Sequence, residues 1–296
     1  MSRRFALIGH PVAHSLSPVI HRAAYAELGV DHRYELIDAD DERQVAAAID
    51  ELRQGRISGM NVTIPWKRTA LSLADDAAPA ASRVGAANVL ERAADGRVVA
   101  HNTDVPALVE EFRARTRGLR RAAVIGSGGA ALAVIAACQE SGASEVGVTS
   151  RRWVEGADPS SWPNAGPFRA LGAEPLAWPE SAEDARRRWQ DFVEDSELIV
   201  QATSAGMHGA DPGHAVARLV PFEQLRPQTL AYDLVYAPPD TPFVVAARTA
   251  GLPAVHGLSM LVGQAALSIR IWLGVAVRRE PLSAAAEREL SARGRW

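Results

Sequence analysis

Lys67 is the only lysine in this chain, because 31 of its 32 lysines and arginines are arginines. An arginine guanidinium keeps its proton in proteins, whereas a lysine ammonium can release its proton where the surroundings favour the neutral amine. Lys67 is therefore a candidate for proton transfer, and the alternative is an ordinary surface cation. It ends the run Gly-Met-Asn-Val-Thr-Ile-Pro-Trp-Lys, residues 59–67.

Three other polar runs also lie at the ends of predicted strands. They are Gly-His-Pro-Val-Ala-His-Ser-Leu-Ser-Pro (9–18), Gly-Ala-Ala-Asn (85–88) and Asn-Thr-Asp (102–104). Ligands bind outside the carboxyl ends of strands in open α/β sheets, so these runs are expected to form one binding site. Asn61 and Thr63, two residues apart on a predicted strand, would point to the same face. Ser15 and Ser17 precede a proline, and one of them could instead cap a helix.

A glycine-rich turn lies between an apolar strand and an alanine-rich helix, and it consists of Gly126, Ser127, Gly128, Gly129 and Ala130. Glycines let the backbone approach a pyrophosphate closely, and the helix N-terminus offers free amides and a partial positive charge. This placement predicts a dinucleotide site. The alternative is an ordinary glycine-rich turn.

The strand after this turn ends in Ser150, Arg151 and Arg152. An NAD site carries an aspartate or glutamate here, which binds the ribose hydroxyls. Two guanidiniums can instead bind a 2′-phosphate through paired hydrogen bonds. The sequence therefore favours NADP over NAD.

Strand and helix patterns alternate along the chain, which predicts an α/β fold with largely parallel strands. Strands are predicted at residues 4–9, 32–37, 59–64, 88–92, 98–102, 121–125, 145–149, 198–201 and 229–235. Helices are predicted at residues 17–28, 45–52, 80–85, 105–115, 130–141, 242–250 and 258–274. Residues 93–96 are typical of a hairpin turn, and residues 153–179 are predicted to be a long loop with one short helix.

The composition excludes several classes of protein. The net charge of −3 gives no electrostatic reason to bind nucleic acid or an anionic membrane. We find no signal-peptide pattern and no run of ~18 apolar residues, so no membrane span is expected. Cys138, the single cysteine, excludes an internal disulfide and is expected to be buried, which fits a cytoplasmic protein. We expect a small-molecule substrate, no metal, and a monomer or homodimer.

Two N-terminal motifs, G-x-P-x-x-H-S-x-S-P and N-V-T-x-P-x-K, resemble those of the shikimate dehydrogenase family. Later runs also match: residues 202–207 (Ala-Thr-Ser-Ala-Gly-Met), 233–236 (Asp-Leu-Val-Tyr) and 257–264 (Gly-Leu-Ser-Met-Leu-Val-Gly-Gln). The resemblance covers nearly the whole chain. It implies an NADP-dependent oxidoreductase of the shikimate pathway, and so of aromatic amino acid biosynthesis, that reversibly reduces 3-dehydroshikimate to shikimate.

The resemblance also assigns roles to residues. Lys67 and Asp104 would be the catalytic pair, in which Lys67 donates a proton to the developing alkoxide and Asp104 orients the ammonium. The substrate carboxylate would bind Ser15 and Ser17. The ring hydroxyls would bind Asn61, Thr63, Asn88 and Gln264, with Tyr236 beside the substrate. The contacts to NADP would come from Gly126, Ser127, Gly128, Gly129, Ala130, Ser150, Arg151, Arg152, Leu234 and Gly257.

The family pattern also predicts the domain organisation. Residues 1–104 would form a substrate-binding and catalytic domain with a mostly parallel sheet. Residues 105–257 would form a Rossmann-type NADP-binding domain. The C-terminal helices, residues 258–296, would pack back on the first domain and bring Gln264 to the substrate site.

Some positions depart from the family pattern. Ser150, Arg151 and Arg152 replace the more usual Asn-Arg-Thr, and Val89 replaces a common threonine. These departures leave room for a dehydrogenase that acts on quinate as well as shikimate, or on an aminoshikimate-type substrate. A rival of another class is a non-catalytic ligand-sensing relative, and the presence of both Lys67 and Asp104 argues against it.

Overall fold

A computed structural model describes residues 2–294 and divides them into two compact units. Unit 1 consists of residues 2–107 and 261–294, and unit 2 of residues 108–260. No helix in residues 2–294 is long and apolar enough to cross a membrane.

Unit 1 contains six strands: β1 (Arg4–Gly9), β2 (Arg33–Asp38), β3 (Gly59–Val62), β4 (Asp76–Ala77), β5 (Val89–Arg92) and β6 (Val98–His101). Its helices are α1 (Ser17–Glu27), α2 (Glu42–Arg53), α3 (Lys67–Leu73), α4 (Pro79–Val84) and α12 (Arg279–Ala292). Two helices, α5 (Asp104–Arg115) and α11 (Leu258–Leu273), contain the boundaries between the units.

The strands of unit 1 form one sheet in the order β2-β1-β3-β5-β6-β4. The pairs β2-β1, β1-β3 and β4-β6 are parallel, whereas β3-β5 and β5-β6 are antiparallel. The antiparallel β5-β6 pair confirms the predicted hairpin. Parallel pairing of β2, β1 and β3 brings the carboxyl ends of these strands to one edge of the sheet, where the polar runs follow.

Hydrophobic periodicity explains how helix α2 packs against the sheet of unit 1. Val45, Ile49 and Leu52 lie on one face of α2 and are buried with the inward side chains of β1 and β3. Asp41 caps this helix by accepting a hydrogen bond from the Gln44 backbone at 2.8 Å. From α11, the indole of Trp272 donates to the Leu90 carbonyl at 3.1 Å. Helix α11 is thereby fixed against β5, within unit 1.

Unit 2 contains β7 (Arg121–Ile125), β8 (Glu145–Thr149), β9 (Glu174–Leu176), β10 (Leu198–Gln201), β11 (Leu230–Asp233) and β12 (Ala254–His256). Its helices are α6 (Gly129–Glu140), α7 (Ala165–Ala170), α8 (Glu183–Glu194), α9 (His214–Ala217) and α10 (Pro242–Thr249). Short 3-10 turns occupy Pro159–Ser161 and Phe222–Gln224.

The strands of unit 2 form a fully parallel sheet in the order β12-β11-β10-β7-β8-β9. Counted from β7 as the first strand, this is the doubly wound order 3-2-1-4-5-6 of dinucleotide-binding folds. The direction of winding changes between β7 and β10, and ligands bind at such a switch point. The predicted α/β class and Rossmann-type domain are confirmed.

The core of unit 2 fits its parallel sheet, whose strands are buried on both faces. One cluster includes Ile125, Trp189, Ile199 and Phe243. Cys138 is fully buried in α6, as predicted, and burial raises the pKa of its thiol.

The predicted long loop at residues 153–179 is partly wrong. The segment contains the predicted short helix, α7, but it also adds β9 to the edge of the sheet beside β8. The ring of Trp153 stacks on Trp162 at 5.8 Å and meets Phe168 edge-on at 5.7 Å. This aromatic cluster gives the segment its own small core.

Candidate active site

Lys67 and Asp104 form an ion pair, with 2.7 Å between Nζ and Oδ2. The Lys67 side chain is 15% exposed and that of Asp104 is 5% exposed. Each residue is the first of a helix, Lys67 of α3 and Asp104 of α5. The carboxylate is favoured there by the positive end of the α5 dipole. The single lysine is therefore not the ordinary surface cation that the sequence offered as an alternative.

Asn88 fixes the second oxygen of Asp104. Its amide nitrogen donates to Asp104 Oδ1 at 2.8 Å and to Thr103 Oγ1 at 2.9 Å. The carbonyl oxygen of the same side chain accepts from the Thr103 backbone at 2.7 Å. With one oxygen facing Lys67 and the other facing Asn88, the carboxylate has a single orientation. A buried charge is tolerated only with such partners.

Gln264 meets Asn88 although 176 residues separate them in sequence. The Asn88 amide nitrogen lies 3.3 Å from Gln264 Oε1, and Gln264 Nε2 donates to the Leu261 carbonyl at 2.9 Å. Helix α11 thus supplies the end of a row of side chains that runs from Lys67 through Asp104 and Asn88. The structure brings these four predicted residues together.

Asn61 is buried at the end of β3 next to this row. Its side-chain amide nitrogen donates to the backbone carbonyl of Asn88 at 3.2 Å and to Ser268 Oγ at 2.9 Å. Its carbonyl oxygen accepts from the Tyr34 hydroxyl at 2.7 Å. Thr63 follows β3 and donates its backbone amide to the Ile8 carbonyl at 2.9 Å.

Ser15 and Ser17 are also adjacent, with 3.1 Å between their hydroxyl oxygens. The Ser17 backbone amide donates to Ser15 Oγ at 3.1 Å. Leu16 occupies the N-cap position of α1 and makes no side-chain cap, whereas Ser15 Oγ accepts from the first amide of the helix. Of the two serines, Ser15 has the helix-capping contact and Ser17 is the first residue of the helix, and the roles of both in binding the substrate stay predictions.

The glycine-rich turn follows β7 in unit 2. Gly126 has a φ of +132°, and a Cβ there would lie 2.9 Å from the Ala202 carbonyl oxygen. Only glycine fits this backbone and this close approach. Gly128 occupies the N-cap position of α6, and, apart from its two chain neighbours, a Cβ on it would meet no atom of residues 2–294 within 4 Å. The amides at the start of α6, from Gly129 and Ala130 onward, are thus left for a ligand.

Ser127 and Ser150 connect this turn to the end of β8, with 2.8 Å between their hydroxyl oxygens. Arg151 follows, with a side chain that is 61% exposed, and its Nη1 lies 2.9 Å from Asp211 Oδ2. Arg152 is exposed at the same end of β8. The two arginines lie at the predicted strand end, but Arg151 has an acidic partner, Asp211, that no local sequence pattern indicates.

Leu234 and Gly257 meet through their backbones in unit 2. A Cβ on Gly257 would lie 2.2 Å from the Leu234 carbonyl oxygen, so no larger residue fits there. Tyr236 is partly buried two residues after Leu234. Its predicted place beside the substrate stays a prediction.

Asp233 supports this part of the chain, although the motif at residues 233–236 gave it no role of its own. Its carboxylate accepts from Thr241 Oγ1 at 2.6 Å, from the Val235 backbone at 2.9 Å and from Gln201 Nε2 at 3.2 Å. Burial raises the pKa of Asp233 to about 7. The network joins the segments after β10 and β11, the two that approach Gly126 and Gly257.

Comparison with known proteins decides the family. Two family models match: the shikimate dehydrogenase substrate binding domain over residues 7–90 and the shikimate 5′-dehydrogenase C-terminal domain over residues 257–287. The shikimate dehydrogenase (NADP(+)) of Paracoccus denitrificans is 36% identical over 275 residues, which cover 90% of this chain and 89% of that protein. The chain belongs to the shikimate dehydrogenase family.

Members of the shikimate dehydrogenase family from Thermus thermophilus match nearly the full length. A curated shikimate dehydrogenase (NADP(+)) of that organism is 36% identical over 97% of this chain and 98% of its own. The crystal structure of a shikimate 5-dehydrogenase from the same organism, in complex with NADP(H) and shikimate, has a TM-score of 0.79 at 33% identity. It covers 97% of this chain and 99% of the other, so the resemblance predicted from the motifs is confirmed.

Proposed function

We propose that this chain catalyses the reversible reduction of 3-dehydroshikimate to shikimate with NADPH. The observation that carries the proposal is the Lys67–Asp104 ion pair. The buried amide of Asn88 holds this pair through Asp104. The chain belongs to a family whose relatives are named as NADP-dependent shikimate dehydrogenases, and one relative was crystallised with NADP(H) and shikimate.

The ion pair has the chemistry that the reduction of a ketone requires. As hydride reaches the carbonyl carbon, the oxygen becomes an alkoxide that needs a proton and a positive charge nearby. The Lys67 ammonium supplies both. Asp104 holds the ammonium through Oδ2, and Asn88 holds Asp104 through Oδ1. In the oxidative direction the Lys67 amine accepts the hydroxyl proton.

The surrounding side chains fit a polyhydroxylated acid. Ser15 and Ser17 offer two neutral hydroxyls at the start of the eleven-residue helix α1, where a carboxylate gains from the helix dipole. Asn61, Asn88 and Gln264 are buried amides for the ring hydroxyls. A site built from such groups discriminates strongly against analogues that leave one of them unpaired.

The glycine-rich turn of unit 2 fits a dinucleotide. Gly126 makes the close turn, and open space at Gly128 leaves the start of α6 free for a pyrophosphate. Arg151 and Arg152 would hold the 2′-phosphate that distinguishes NADP from NAD. When bound, NADPH supplies the hydride. The remaining cofactor contacts would come from Ser127, Gly129, Ala130, Ser150, Leu234 and Gly257.

Two other functions stay open to test. A quinate/shikimate or aminoshikimate-type dehydrogenase would use the same Lys67–Asp104 pair with a different ring. A non-catalytic ligand-sensing relative would have no use for a buried, oriented lysine, so the geometry of the pair argues against it. Cytoplasmic location, and a monomer or homodimer, are the accompanying proposals. A free buried cysteine fits a reducing compartment.

The test is a set of initial rates on the purified chain, with shikimate or quinate as substrate and NADP or NAD as cofactor. We expect kcat/KM to be highest for shikimate with NADP. A higher value for quinate would identify the quinate enzyme. No turnover of either acid, combined with shikimate binding in calorimetry, would identify a sensor.

A further inference from the structure

The Asn61 side chain has little hydrogen-bonding capacity left for a ligand. It is 4% exposed, and both of its N–H groups are donated, to Ser268 Oγ and to the Asn88 carbonyl. Its carbonyl oxygen accepts one hydrogen bond, from the Tyr34 hydroxyl at 2.7 Å. A carbonyl oxygen has two acceptor sites, so one acceptor position is what remains.

The neighbours on the nitrogen side demand this orientation. The Asn88 carbonyl can only accept, and the Ser268 hydroxyl already donates its proton to the Gln264 carbonyl at 2.8 Å. The Asn88 carbonyl also accepts from the Val62 backbone amide at 2.8 Å, so neither group has a proton to offer to an oxygen of Asn61, and the amide nitrogen of Asn61 must face them. The carbonyl oxygen of Asn61 must then find a donor on its other side, and Tyr34 is that donor.

Tyr34 is itself held in one place. It is buried in β2, and its ring stacks on that of His21 with 3.9 Å between the centroids and an interplanar angle of 11°. Burial raises the pKa of the Tyr34 hydroxyl well above its usual value, an effect that Ser17 partly offsets. The hydroxyl therefore stays protonated and remains a donor. Through Asn61 and Ser17, it faces two of the residues assigned above to the substrate.

We propose that Tyr34 is a positioning residue for substrate recognition, which holds Asn61 so that this side chain accepts a hydrogen bond from a ring hydroxyl and cannot donate one. The inference rests on the proposed function, because it assigns Asn61 to the substrate. The substrate group that contacts Asn61 must therefore be a hydrogen-bond donor, such as a hydroxyl. A keto or methoxy group there would face a lone pair and bind poorly.

Tyr34→Phe removes the hydroxyl and keeps the ring on His21. We expect its KM for shikimate to rise about tenfold, because one buried hydrogen bond is lost and the carbonyl oxygen of Asn61 is no longer held by a fixed donor. Its KM for NADP and its kcat should stay near those of the wild type. Tyr25→Phe is the matched control. Tyr25 is 2% exposed and contacts His21, but its hydroxyl has no hydrogen-bond partner within residues 2–294, so both KM values should be unchanged.

A double-mutant cycle with Asn61→Ala separates positioning from a general loss of packing. If Tyr34 acts through Asn61, adding Tyr34→Phe to Asn61→Ala should raise the KM for shikimate no further. Additive effects, or an unchanged KM in Tyr34→Phe, would overturn the inference while leaving the function intact. A wild-type chain that does not turn over shikimate would overturn both. Circular dichroism below the melting temperature checks that each variant is folded.

Discussion

Arg151 pairs with Asp211, with 2.9 Å between Nη1 and Oδ2. Arg151 follows β8, and the backbone carbonyl of Asp211 accepts from the Gly206 amide in the segment after β10. The arginine proposed to bind the 2′-phosphate therefore has a competing carboxylate in unit 2. A phosphate that binds Arg151 must take the place of this carboxylate or share the guanidinium with it.

Replacing Arg151 and Arg152 together with alanine should raise the KM for NADP far more than that for NAD. Each charge-assisted hydrogen bond to the 2′-phosphate is worth ~1.5–3 kcal/mol, and NAD has no such phosphate. Initial rates over a range of both cofactors measure the effect. Arg187→Ala is the control, since Arg187 is 69% exposed on α8 and should leave both values unchanged. Equal weakening of the two cofactors would show that the pair are ordinary surface arginines.

Asp211→Asn should act in the opposite direction. It keeps the size of the side chain and removes the charge that competes with the phosphate. An exposed ion pair is worth ~0.2–1 kcal/mol, so the KM for NADP should fall by up to about fivefold. A rise in that KM would mean that Asp211 helps to hold Arg151 in its binding position.

Ser17→Ala should weaken shikimate binding by ~1–3 kcal/mol, because a buried hydrogen-bond donor to the carboxylate is lost. The melting temperature should change little, since Leu16 occupies the N-cap of α1. Calorimetric titration and thermal unfolding on the same variant separate these effects. Ser72→Ala, at an exposed hydroxyl that bonds within α3, is the control. A lower melting temperature with unchanged affinity would return Ser17 to a structural role.

His21 makes the stability of unit 1 depend on pH. Burial lowers the pKa of His21 to about 3 in the folded chain, against 6.5 when it is exposed. The unfolded chain thus gains a proton that the folded chain does not as the pH falls from 6.5 towards 3, so the free energy of unfolding decreases over this window. Asp233 has the opposite effect. Its pKa is raised from 3.8 to about 7, so its contribution to the free energy of unfolding is lost as the pH rises from 3.8 to 7.

His21→Phe keeps a ring on Tyr34 and removes the titrating group, so comparison with it isolates the histidine. Between pH 7 and pH 5 the wild type should lose ~2 kcal/mol of unfolding free energy relative to the variant, which is about 1.36 kcal/mol for each pH unit below 6.5. Urea unfolding at the two pH values provides the measurement. Equal losses in both proteins would mean that His21 does not control this dependence.

Sequence patterns predicted the regular parts of the fold well. The strands Arg4–Gly9, Arg121–Ile125, Glu145–Thr149 and Leu198–Gln201 begin and end where the apolar runs indicated. These strands are central in their sheets or pair with a central strand, so hydrophobic runs define them. The glycine-rich turn was equally visible, because its geometry depends on the backbone of glycine itself.

Short elements held by tertiary contacts were missed. Helix α3 begins at Lys67, but its seven residues bury only Ala70, which gives no hydrophobic period to detect. Strand β9 has three residues, contains Pro175 and pairs with β8 at the edge of its sheet. The proline disfavours β9, and α3 has good helix formers but is too short to show a period. Their neighbours in the fold stabilise them.

The residues that hold the site residues in place could not be predicted from the sequence either. The motifs include Asn61 and Asn88 but not the partners of Asn61. Tyr34 is 27 residues from Asn61 in the sequence, and Ser268 is 207 residues from it. Strand alternation predicts only that Tyr34 is buried. The partner of its hydroxyl depends on the register between strands and on the place of α11, which no local pattern gives.

Lys67→Arg tests the central claim most directly, because it keeps the positive charge beside Asp104 and removes the proton that can be transferred. Initial rates of 3-dehydroshikimate reduction with NADPH should show a kcat lower by ~10²–10⁴-fold, with a small change in KM. Arg68→Lys, the reverse exchange at the next and exposed position, should leave the rate unchanged. A Lys67→Arg enzyme with nearly the wild-type kcat would contradict proton transfer by Lys67 and leave it only an electrostatic role.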